Sequence, residues 1–439
     1  MRLIEIDWPD FGGPASPPAF TVSDYLSRID AARAAMKPCG LTHLVIYADR
    51  EHFANMAWLT GFDPRFEEAL LILRDEATAP LIATGIECER YLAISPIRLQ
   101  LRHERFDGFS LPGIAPQTSR GLAEILASEG IGADSNVGCV GWKTYGHPGQ
   151  SDLPSYIVDL IRPARVTNAT DIFIHLATGL RATVTATEIA WLEYANFQAS
   201  EAMKRMIFSL RPGMTDRECV QAAAFNGDPQ GCHWGVKTGA HRISLASPIG
   251  ALVAAGQPWS GNICYRGANC CRAGWLARSA AQAPAGFLDD FAMPYIEAMA
   301  AWLAGLRIGR PCGELTAGFP RDRFGLTMTP GHLTHLEEWL GTPFESGSTV
   351  PLRSGMAIQS DVIPSSRVYG SIRFEDTWVL ADASLQSQLT PDCLRRCVAR
   401  REFLRGVLGF TIPDELLPLS NIAGLAPPYL LAPRQIIAA

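Results

Sequence analysis

Apolar residues follow two different spacings along the chain, and the alternation predicts strands mixed with helices. Residues 41–48 and 69–73 are almost continuously apolar, which is typical of buried strands. Residues 25–36 instead place apolar side chains three and four positions apart, as in a helix with one buried face. Because strand and helix signals keep alternating to about residue 162, we expect the first part of the chain to form an α/β domain.

A long amphipathic helix is predicted from residue 185 onwards. Thr185 and Glu188 have the spacing of a capping box, in which each side chain accepts a hydrogen bond from the other residue's backbone N–H. Apolar residues then recur at helical spacing from 189 to 210, and a Pro-Gly pair ends the helix. A second apolar helix, 295–306, ends in a similar Leu-Arg-x-Gly sequence. This recurrence indicates two related halves in the C-terminal part of the chain.

Length and composition indicate an ordinary globular protein with more than one domain. The 439 residues exceed what a single hydrophobic core usually supports. Apolar residues make up 47% and charged residues 19%, which excludes extensive disorder. The formal net charge of −6 gives no electrostatic reason to bind nucleic acid or anionic lipid, so we expect neither as a partner.

The cysteines and the hydrophobic runs bear on cellular location. The eleven cysteines are irregularly spaced and include no Cys-x-x-Cys pair, so the sequence predicts reduced thiols and neither a disulfide framework nor a zinc ribbon. No apolar run has the length of a membrane span, and the N-terminal residues do not resemble a secretion signal. We therefore expect a cytoplasmic protein that does not use a membrane.

Five segments, in order along the chain, carry a resemblance to a known superfamily. They are MAWLTGF (56–62), the helix at 187–210 with the RPGMTDRE at its end, GHLTHLE (331–337), GMAIQSD (355–361) and SIRFEDT (371–377). Together they resemble the creatinase and aminopeptidase P superfamily, whose catalytic domain has the pita-bread fold. The resemblance implies an α/β (α+β) two-domain homodimer, with a creatinase-type N-terminal domain at 1–165, a pita-bread domain at 170–400 and a C-terminal tail at 401–439.

The resemblance implies part of a metal site. Metal-dependent members of the superfamily hold two divalent ions with two aspartates, one histidine and two glutamates, because two neighbouring cations need several anionic ligands. In this chain His332 matches the histidine, while Asp361 and Glu375 take the two glutamate positions. Three of the five ligand positions are therefore filled by suitable residues.

The two aspartate positions are filled by residues that cannot replace an aspartate. They fall on Asn262 and on either Ala273 or Trp275, and no Asp or Glu occurs between residues 251 and 280. An amide and an alkyl or indole group cannot neutralise two dications. The sequence therefore predicts that the two-metal site is lost and that the protein uses no metal and no other cofactor.

Metal-free members of the superfamily, such as creatinase and ectoine hydrolase, cleave C–N bonds in small zwitterionic molecules. The Gly-Ala-His segment that ends at His241 resembles the stretch carrying the general acid–base histidine of creatinase. An imidazole suits a proton shuttle because its ordinary pKa is close to neutral. Ala277 stands where creatinase has a glutamate, which argues against creatine itself. The resemblance thus implies metal-independent hydrolysis of a C–N bond in a small nitrogenous substrate, with His241 as the proton shuttle.

The resemblance also implies roles for the other catalytic candidates. His332 would polarise the scissile group, and Asp361 and Glu375 would hold the nitrogenous part of the substrate. Buried carboxylates need cationic or hydrogen-bonding partners, and Arg373 is a candidate partner for Glu375. A purely structural ion-pair network among these residues is the simpler alternative.

Four residues are candidates for substrate binding: Arg65, Asn262, His335 and Arg373. Arg65 follows the Leu-Thr-Gly segment, near the place where creatinase lends an arginine to its partner subunit; the alternative is a surface ion pair with a neighbouring glutamate. His335 matches no position of the superfamily, so a structural role is its alternative.

Three other functions remain open at this stage. His332, Asp361 and Glu375 form a set that could hold one metal ion, as in a mononuclear hydrolase of the Xaa-Pro type. A histidine base beside carboxylates is also compatible with a lyase. The third alternative is a catalytically silent binding or scaffold protein. Retention of His241 beside the other three catalytic candidates favours an enzyme.

Overall fold

Two compact units make up the computed structural model, which describes residues 1–114, 118–239, 247–326 and 328–439. The N-terminal unit comprises residues 19–181, and the C-terminal unit comprises residues 1–18 together with 182–439. Both units combine helices with strands. The two-domain α/β (α+β) architecture expected from the sequence is confirmed.

The described residues form regular elements that are numbered here in chain order. The strands are β1 (Arg2–Glu5), β2 (His43–Ala48), β3 (Ala69–Arg74), β4 (Leu81–Thr84), β5 (Arg102–Arg105), β6 (Asn136–Val140), β7 (Arg165–Asn168), β8 (Gly235–Thr238), β9 (Pro258–Tyr265), β10 (Ala268–Trp275), β11 (His332–Leu333), β12 (Ala357–Gln359), β13 (Arg373–Glu375), β14 (Thr377–Leu380), β15 (Leu416–Pro418) and β16 (Gln435–Ala438). The helices are α1 (Val22–Met36), α2 (Phe53–Thr60), α3 (Ile86–Tyr91), α4 (Leu122–Ser128), α5 (Ser155–Ile161), α6 (Asp171–Ile174), α7 (Ala186–Ser209), α8 (Asp216–Ala222), α9 (Met293–Ala304), α10 (Cys312–Gly318), α11 (Ala383–Ser387) and α12 (Pro391–Gly406). None of these helices combines the length and the apolar character needed to cross a bilayer.

The N-terminal unit is built on a six-stranded mixed sheet with the order β5-β4-β3-β2-β6-β7. The central strand β2 runs antiparallel to β3 and parallel to β6. Every residue of β2 is buried, because α4 and α5 share a hydrophobic core with one of its faces and α2 also packs against it. This two-sided burial explains the continuous apolar run. The strands predicted at 41–48 and 69–73 and the helix predicted at 25–36 are confirmed as β2, β3 and α1.

The N-terminal unit ends later in the chain than the predicted boundary near 165–170. The ring of Phe173 in α6 packs edge-on against Trp58, with the ring centroids 6.1 Å apart. The guanidinium of Arg181 donates a hydrogen bond of 2.8 Å to Oδ1 of Asn55. These contacts hold the segment 170–181 to the N-terminal unit, and the division falls between Arg181 and Ala182.

The C-terminal unit contains two four-stranded antiparallel sheets, with the orders β8-β9-β10-β13 and β11-β12-β14-β15. The long helix α7 packs against β9 and β10. Its predicted capping box is present: the Thr185 N–H donates to Oε2 of Glu188 at 2.8 Å, and the Glu188 N–H donates to Oγ1 of Thr185 at 3.3 Å. The residues predicted to face the core are all buried: Ile189, Leu192, Ala195, Ala199, Met203, Met206 and Leu210. The second predicted helix is confirmed as α9.

Both ends of the chain belong to the C-terminal unit. Strand β1 pairs antiparallel with β16, with Arg2 opposite Ala438. The indole N–H of Trp8 donates to the carbonyl of Pro433 at 2.7 Å. Residues 1–18 therefore lie outside the N-terminal unit to which the predicted boundaries assigned them. Residues 401–439 are also part of the C-terminal unit, since β15 extends its second sheet.

Candidate functional site

One face of the sheet β8-β9-β10-β13 carries several of the residues singled out in the sequence, in two adjacent rows. The first row runs across the four strands through Gly235, Asn262, Cys271 and Glu375. The second row runs through Lys237, Ser260, Ala273 and Arg373. Because residues two apart on a strand point to the same side, the two rows share one face, which we call the site face.

Glu375 is almost completely buried on the site face. Its Oε1 accepts hydrogen bonds from the side-chain amides of Asn269, at 2.9 Å, and Gln359, at 3.2 Å. Burial raises the pKa of the Glu375 carboxyl well above its usual range, and the nearby Asp361 carboxylate raises it further, whereas Arg373 lowers it. The Glu375 carboxyl is therefore suited to carry a proton that an ordinary glutamate would have lost at neutral pH.

Arg373 lies between two carboxyl groups. One guanidinium nitrogen is 3.6 Å from Oε2 of Glu375 and 3.8 Å from Oδ1 of Asp361. Asp361 follows the end of β12 by two residues, so the end of that strand brings it to the site. Among the described residues Oδ1 of Asp361 has no hydrogen-bond partner, although it is buried. A single guanidinium thus serves two carboxyl groups and satisfies neither fully.

His332 opens the short strand β11, which pairs with β12. Its Nδ1 lies 3.1 Å from the carbonyl of Leu333. A carbonyl can only accept, so Nδ1 carries a proton, and in the neutral imidazole Nε2 then presents a lone pair. This Nε2 is buried without a hydrogen-bond partner among the described residues and lies 3.9 Å from Oδ2 of Asp361. The imidazole is held by stacking on the Trp339 ring, with the centroids 4.0 Å apart.

Gly331, the residue before β11, allows this strand to lie close to Trp302 and β12. Gly331 has a φ of +89°, which L-residues rarely adopt. A Cβ at this position would lie 2.9 Å from the Trp302 ring and 3.0 Å from the carbonyl of Gln359. The glycine therefore lets the chain pass close to β12 and turn His332 into the site.

Glu338 was not predicted from the sequence. Among the described residues, ligand atoms of His332, Glu338 and Asp361 lie within 4.8 Å of one another, and we call these three residues the acceptor cluster. The side-chain amide of Asn269 links the cluster to Glu375, because it donates to Oε1 of Glu338 at 2.8 Å as well as to Glu375. The only signal in the sequence was an acidic residue a few positions after His332, and the spacing did not show that its side chain returns to the site.

The strand register shows which residues face Glu375. Cys271 lies directly opposite Glu375, and Ala273 lies opposite Arg373. Trp275 donates its indole N–H to the carbonyl of Tyr369 at 2.8 Å, and Asn262 donates its amide to the carbonyl of His233 at 3.1 Å. No Asp or Glu occurs on β8, β9 or β10 of the described structure. These strands therefore provide no carboxylate ligand for a metal ion.

The predicted residue His335 lies outside the acceptor cluster. Nε2 of His335 lies 3.6 Å from Oε1 of Glu188, the residue of the α7 capping box, and its Nδ1 accepts the backbone N–H of Leu336 at 2.9 Å. His335 thus contacts the start of α7. His241, the predicted proton shuttle, lies outside the described residues, and its role stays a prediction.

Arg65 belongs to the N-terminal unit and makes local contacts there. Its Nε donates to the hydroxyl of Tyr91 at 2.9 Å and lies 3.6 Å from Oδ1 of Asp63. The residue has a φ of +60°, which is uncommon for a residue with a Cβ. These partners differ from the neighbouring glutamates considered from the sequence. Its role in substrate binding stays a prediction.

Several solved structures have a similar fold. The dipeptidase PepE from Mycobacterium ulcerans gives a TM-score of 0.62 at 19% sequence identity and covers 82% of this chain and 94% of that one. The Xaa-Pro dipeptidase from Bacillus anthracis gives a TM-score of 0.62 at 15% identity, with 82% and 96% covered. A prolidase from Thermococcus sibiricus gives 0.66 at 14% identity, with 90% and 97% covered. The N-terminal domain of the FACT complex subunit SPT16 from chickpea gives 0.59 at 12% identity, with 86% and 99% covered.

These similarities establish the fold of the chain. No protein-family model and no curated protein matches the sequence. At identities of 12–19% a shared fold does not fix the reaction, the substrate or the metal content. The fold implied by the sequence motifs is confirmed, and the metal-free branch of the superfamily stays a prediction.

Proposed function

We propose that this chain hydrolyses a C–N bond in a small cationic or zwitterionic nitrogen compound, at the site formed by His332, Asp361 and Glu375, without a pair of metal ions. The observation that carries the proposal is the acceptor cluster. His332 Nε2 and Asp361 Oδ1 are buried acceptor atoms without hydrogen-bond donors among the described residues. Because buried acceptors are costly when unpaired, a ligand that brings N–H groups would be favoured.

The charges around the cluster favour a cation. Glu338, Asp361 and Glu375 bring three carboxyl groups together, and Arg373 is the guanidinium that lies within 4 Å of two of them. An ammonium, amidinium or guanidinium group offers positive charge and several N–H donors at once. Such a group fits the cluster better than a neutral amide does.

The two carboxyl groups that the sequence assigned to one role are suited to different roles. Asp361 faces the lone pair of His332 and would hold the cationic nitrogen. Glu375, whose pKa is raised by burial, would donate a proton to the leaving nitrogen. Two neighbouring carboxyls in unequal surroundings are a common source of an acid and a charge stabiliser in one site.

The proton inventory of the reaction can be written with the described groups. His332 Nε2 accepts a proton from a water molecule. At the same time the water oxygen attacks the carbon of the scissile C–N bond. Asp361, 3.9 Å away, stabilises the imidazolium that forms. The C–N bond breaks as Glu375 protonates the nitrogen, so one water is consumed and an amine is released. His241 remains the predicted alternative for the proton shuttle.

Support for hydrolysis also comes from the similar solved structures. Those named dipeptidase, Xaa-Pro dipeptidase and prolidase are named for cleavage of a peptide C–N bond. The similar structure from chickpea is named as a subunit of the FACT complex and not as an enzyme, which supports the catalytically silent alternative instead. The lyase alternative has no separate support.

A second candidate function is a mononuclear metallohydrolase. His332 Nε2 with carboxylate oxygens of Glu338 and Asp361 offers one nitrogen and two oxygen ligands within 4.8 Å of one another. In this candidate Glu338 takes the place that the sequence gave to Glu375, because the three ligand atoms that lie within 4.8 Å of one another belong to His332, Glu338 and Asp361. A bound ion would supply Lewis acidity at this position.

The test is hydrolysis of a panel of guanidino acids, amidines and N-acyl amino acids by protein treated with a chelator. We expect ammonia or amine release to persist after chelation and to fall by about two to four orders of magnitude in His332→Ala. His147→Ala, at an exposed histidine of the N-terminal unit, is the matched control and should keep full activity.

Activity that disappears on chelation and returns with one added Zn²⁺ or Mn²⁺ per chain would replace the first candidate by the second. No turnover of any compound by either form would favour the silent alternative.

A further inference from the structure

The second row of the site face places two cationic side chains at its two ends. Lys237 stands at the β8 end and Arg373 at the β13 end, with Ser260 and Ala273 between them. Three strand spacings of about 4.8 Å separate the two backbones by about 14 Å. Both of these side chains are long, and the two residues between them are small, so the row carries a cationic group at each of its ends.

Lys237 is an unusual residue for this chain. Only four lysines occur in the sequence, Lys37, Lys143, Lys204 and Lys237, among 38 basic residues. Burial lowers the pKa of the Lys237 ammonium, and the charge of Arg373 lowers it further, whereas Cys271 and Glu375 act in the opposite direction. The strand register places Lys237 on the same face of the sheet as Cys271, Arg373 and Glu375. A small cavity of about 30 Å³ lies against Lys237, Ser260 and Ser371.

The Arg373 guanidinium has an N–H donor that makes no hydrogen bond among the described residues. It is about nine-tenths buried, and its contacts with Asp361 and Glu375 are ion pairs at 3.8 and 3.6 Å, longer than hydrogen bonds. Its Nε has no hydrogen-bond partner among the described residues. A buried guanidinium with unused N–H donors is suited to an anionic oxygen.

We infer that Lys237 and Arg373 bind the anionic group of the substrate, a carboxylate, while the acceptor cluster binds its cationic nitrogen. Lys237 is then a specificity-determining residue that selects zwitterions over simple cations. The inference rests on the proposed function for the cationic end only. The anionic end is a separate contact whose existence can be measured without turnover.

The inference predicts a specific pattern of affinities. The probes are 4-guanidinobutyrate and its methyl ester, which differ by one negative charge and are measured by calorimetric titration. We expect the acid to bind roughly ten- to hundredfold more tightly than the ester. Lys237→Met should remove most of that difference by weakening the binding of the acid alone, and Lys237→Arg should retain the difference.

Lys143→Met, at an exposed lysine of the N-terminal unit, is the control and should change neither affinity. Equal affinities of acid and ester in the unmodified protein, or equal weakening of both in Lys237→Met, would overturn the inference.

A second measurement separates this inference from the proposed function. Protein labelled with [¹³C,¹⁵N]lysine gives side-chain signals from four lysines, and Lys237→Arg identifies the one that belongs to Lys237. Acetate, which has no cationic end, should shift the Lys237 signal in a saturable way and leave that of Lys204 unchanged. If acetate shifts Lys237 but neither guanidino compound binds more tightly than acetate, the proposed function fails and the anionic contact stands. If the ester binds and acetate leaves Lys237 unchanged, the anionic contact is wrong and the proposed function stands.

Discussion

Cys271 lies directly opposite Glu375 across the strand pair β10–β13. Burial raises the pKa of the Cys271 thiol well above its usual range, and the Glu375 carboxyl adds to this effect. A neutral thiol therefore faces a carboxyl that also favours its neutral form. Asn262, the next residue of the same row, is neutral as well. Across this part of the sheet Glu375 meets neutral groups where a two-metal site would need anionic ones.

The first prediction concerns metal content. Because β8, β9 and β10 carry no carboxylate, we expect elemental analysis of the purified protein to find at most one ion per chain. Asp361→Glu lengthens one ligand and still leaves these strands without a carboxylate, so calorimetric titration with Mn²⁺ should show no second site. Close to two Mn, Co or Zn ions per chain, removed by chelation together with activity, would contradict this prediction.

The second prediction separates the roles of Asp361 and Glu375. Asp361→Asn removes the charge that faces the substrate nitrogen and should weaken binding of 4-guanidinobutyrate by about 1.5–3 kcal/mol. Glu375→Gln keeps the shape and the acceptor atom but cannot donate an acidic proton. It should leave that affinity nearly unchanged and lower turnover by about two to four orders of magnitude. Calorimetry and rate measurements on both variants decide between these roles, and an exchange of the two effects would show that the roles are reversed.

The pH profile follows from the direction of the Glu375 pKa. Glu375 acts as an acid only while protonated, and its pKa is raised. Activity limited by this group should therefore persist above the pH at which an ordinary glutamate ionises, and it should fall as the pH passes the raised pKa. A rate that declines already at the ordinary glutamate pKa, near 4.3, would remove Glu375 from the role of proton donor.

The fourth prediction concerns the ion pair between Arg272 and Asp376, which holds the C-terminal segment. One Arg272 nitrogen lies 3.0 Å from both carboxylate oxygens of Asp376 and donates to the carbonyl of Ile422 at 2.6 Å, and both side chains are fully buried. The backbone N–H of Gly424 also donates to Asp376. Asp376→Ala leaves a buried guanidinium without its partner and should lower the free energy of unfolding of the C-terminal unit by about 3–5 kcal/mol.

Two comparisons test the cause of that loss in urea unfolding experiments. Arg272→Met with Asp376→Leu removes both charges and should be less destabilised than Asp376→Ala alone. Asp392→Ala breaks an exposed pair with Arg395 and should have little effect. A similar loss in Asp376→Ala and Asp392→Ala would mean that burial does not determine the strength of the pair.

The elements that could be predicted from the sequence are those with a strong local pattern. The capping box of α7 needs only Thr185 and Glu188 at the right spacing, and the core face of that helix needs only its helical period. The buried strand β2 was recognisable because both of its faces are apolar. The segments containing His332, Asp361 and Glu375 were selected through their resemblance to superfamily motifs, and the catalytic roles of these residues stay predictions.

The features that were missed depend on contacts between distant parts of the chain. Strand β1 pairs with β16 at the opposite end of the sequence, and neither segment indicates this by itself. Asn269 meets Glu375 because β10 pairs with β13, and it meets Glu338 because the segment after β11 returns to the same place. The sequence also left Ala273 and Trp275 as alternatives, whereas the register places Cys271 opposite Glu375. Register is a long-range property that local spacing does not encode.

The last prediction concerns His52 in the N-terminal unit. Its Nδ1 lies 2.8 Å from Oδ1 of Asp49, and its Nε2 lies 3.3 Å from Oδ2 of Asp152. Burial alone would lower the pKa of His52, but the hydrogen bonds to Asp152 and Asp49 outweigh it and raise the pKa from 6.5 to about 9. Because the folded-state pKa is the higher one, the stabilisation is fully present below pH 6.5 and is lost as the pH rises through about 9. The free energy of unfolding of the N-terminal unit should therefore fall across this window by at most about 3 kcal/mol, because partial solvent exposure screens the two ion pairs. Urea unfolding measured at intervals from pH 6 to pH 10 should show the slope in the unmodified protein and lose it in His52→Gln, while His147→Gln should retain it. An NMR titration that places the His52 pKa near 6.5 would show that the two carboxylates do not hold the imidazolium.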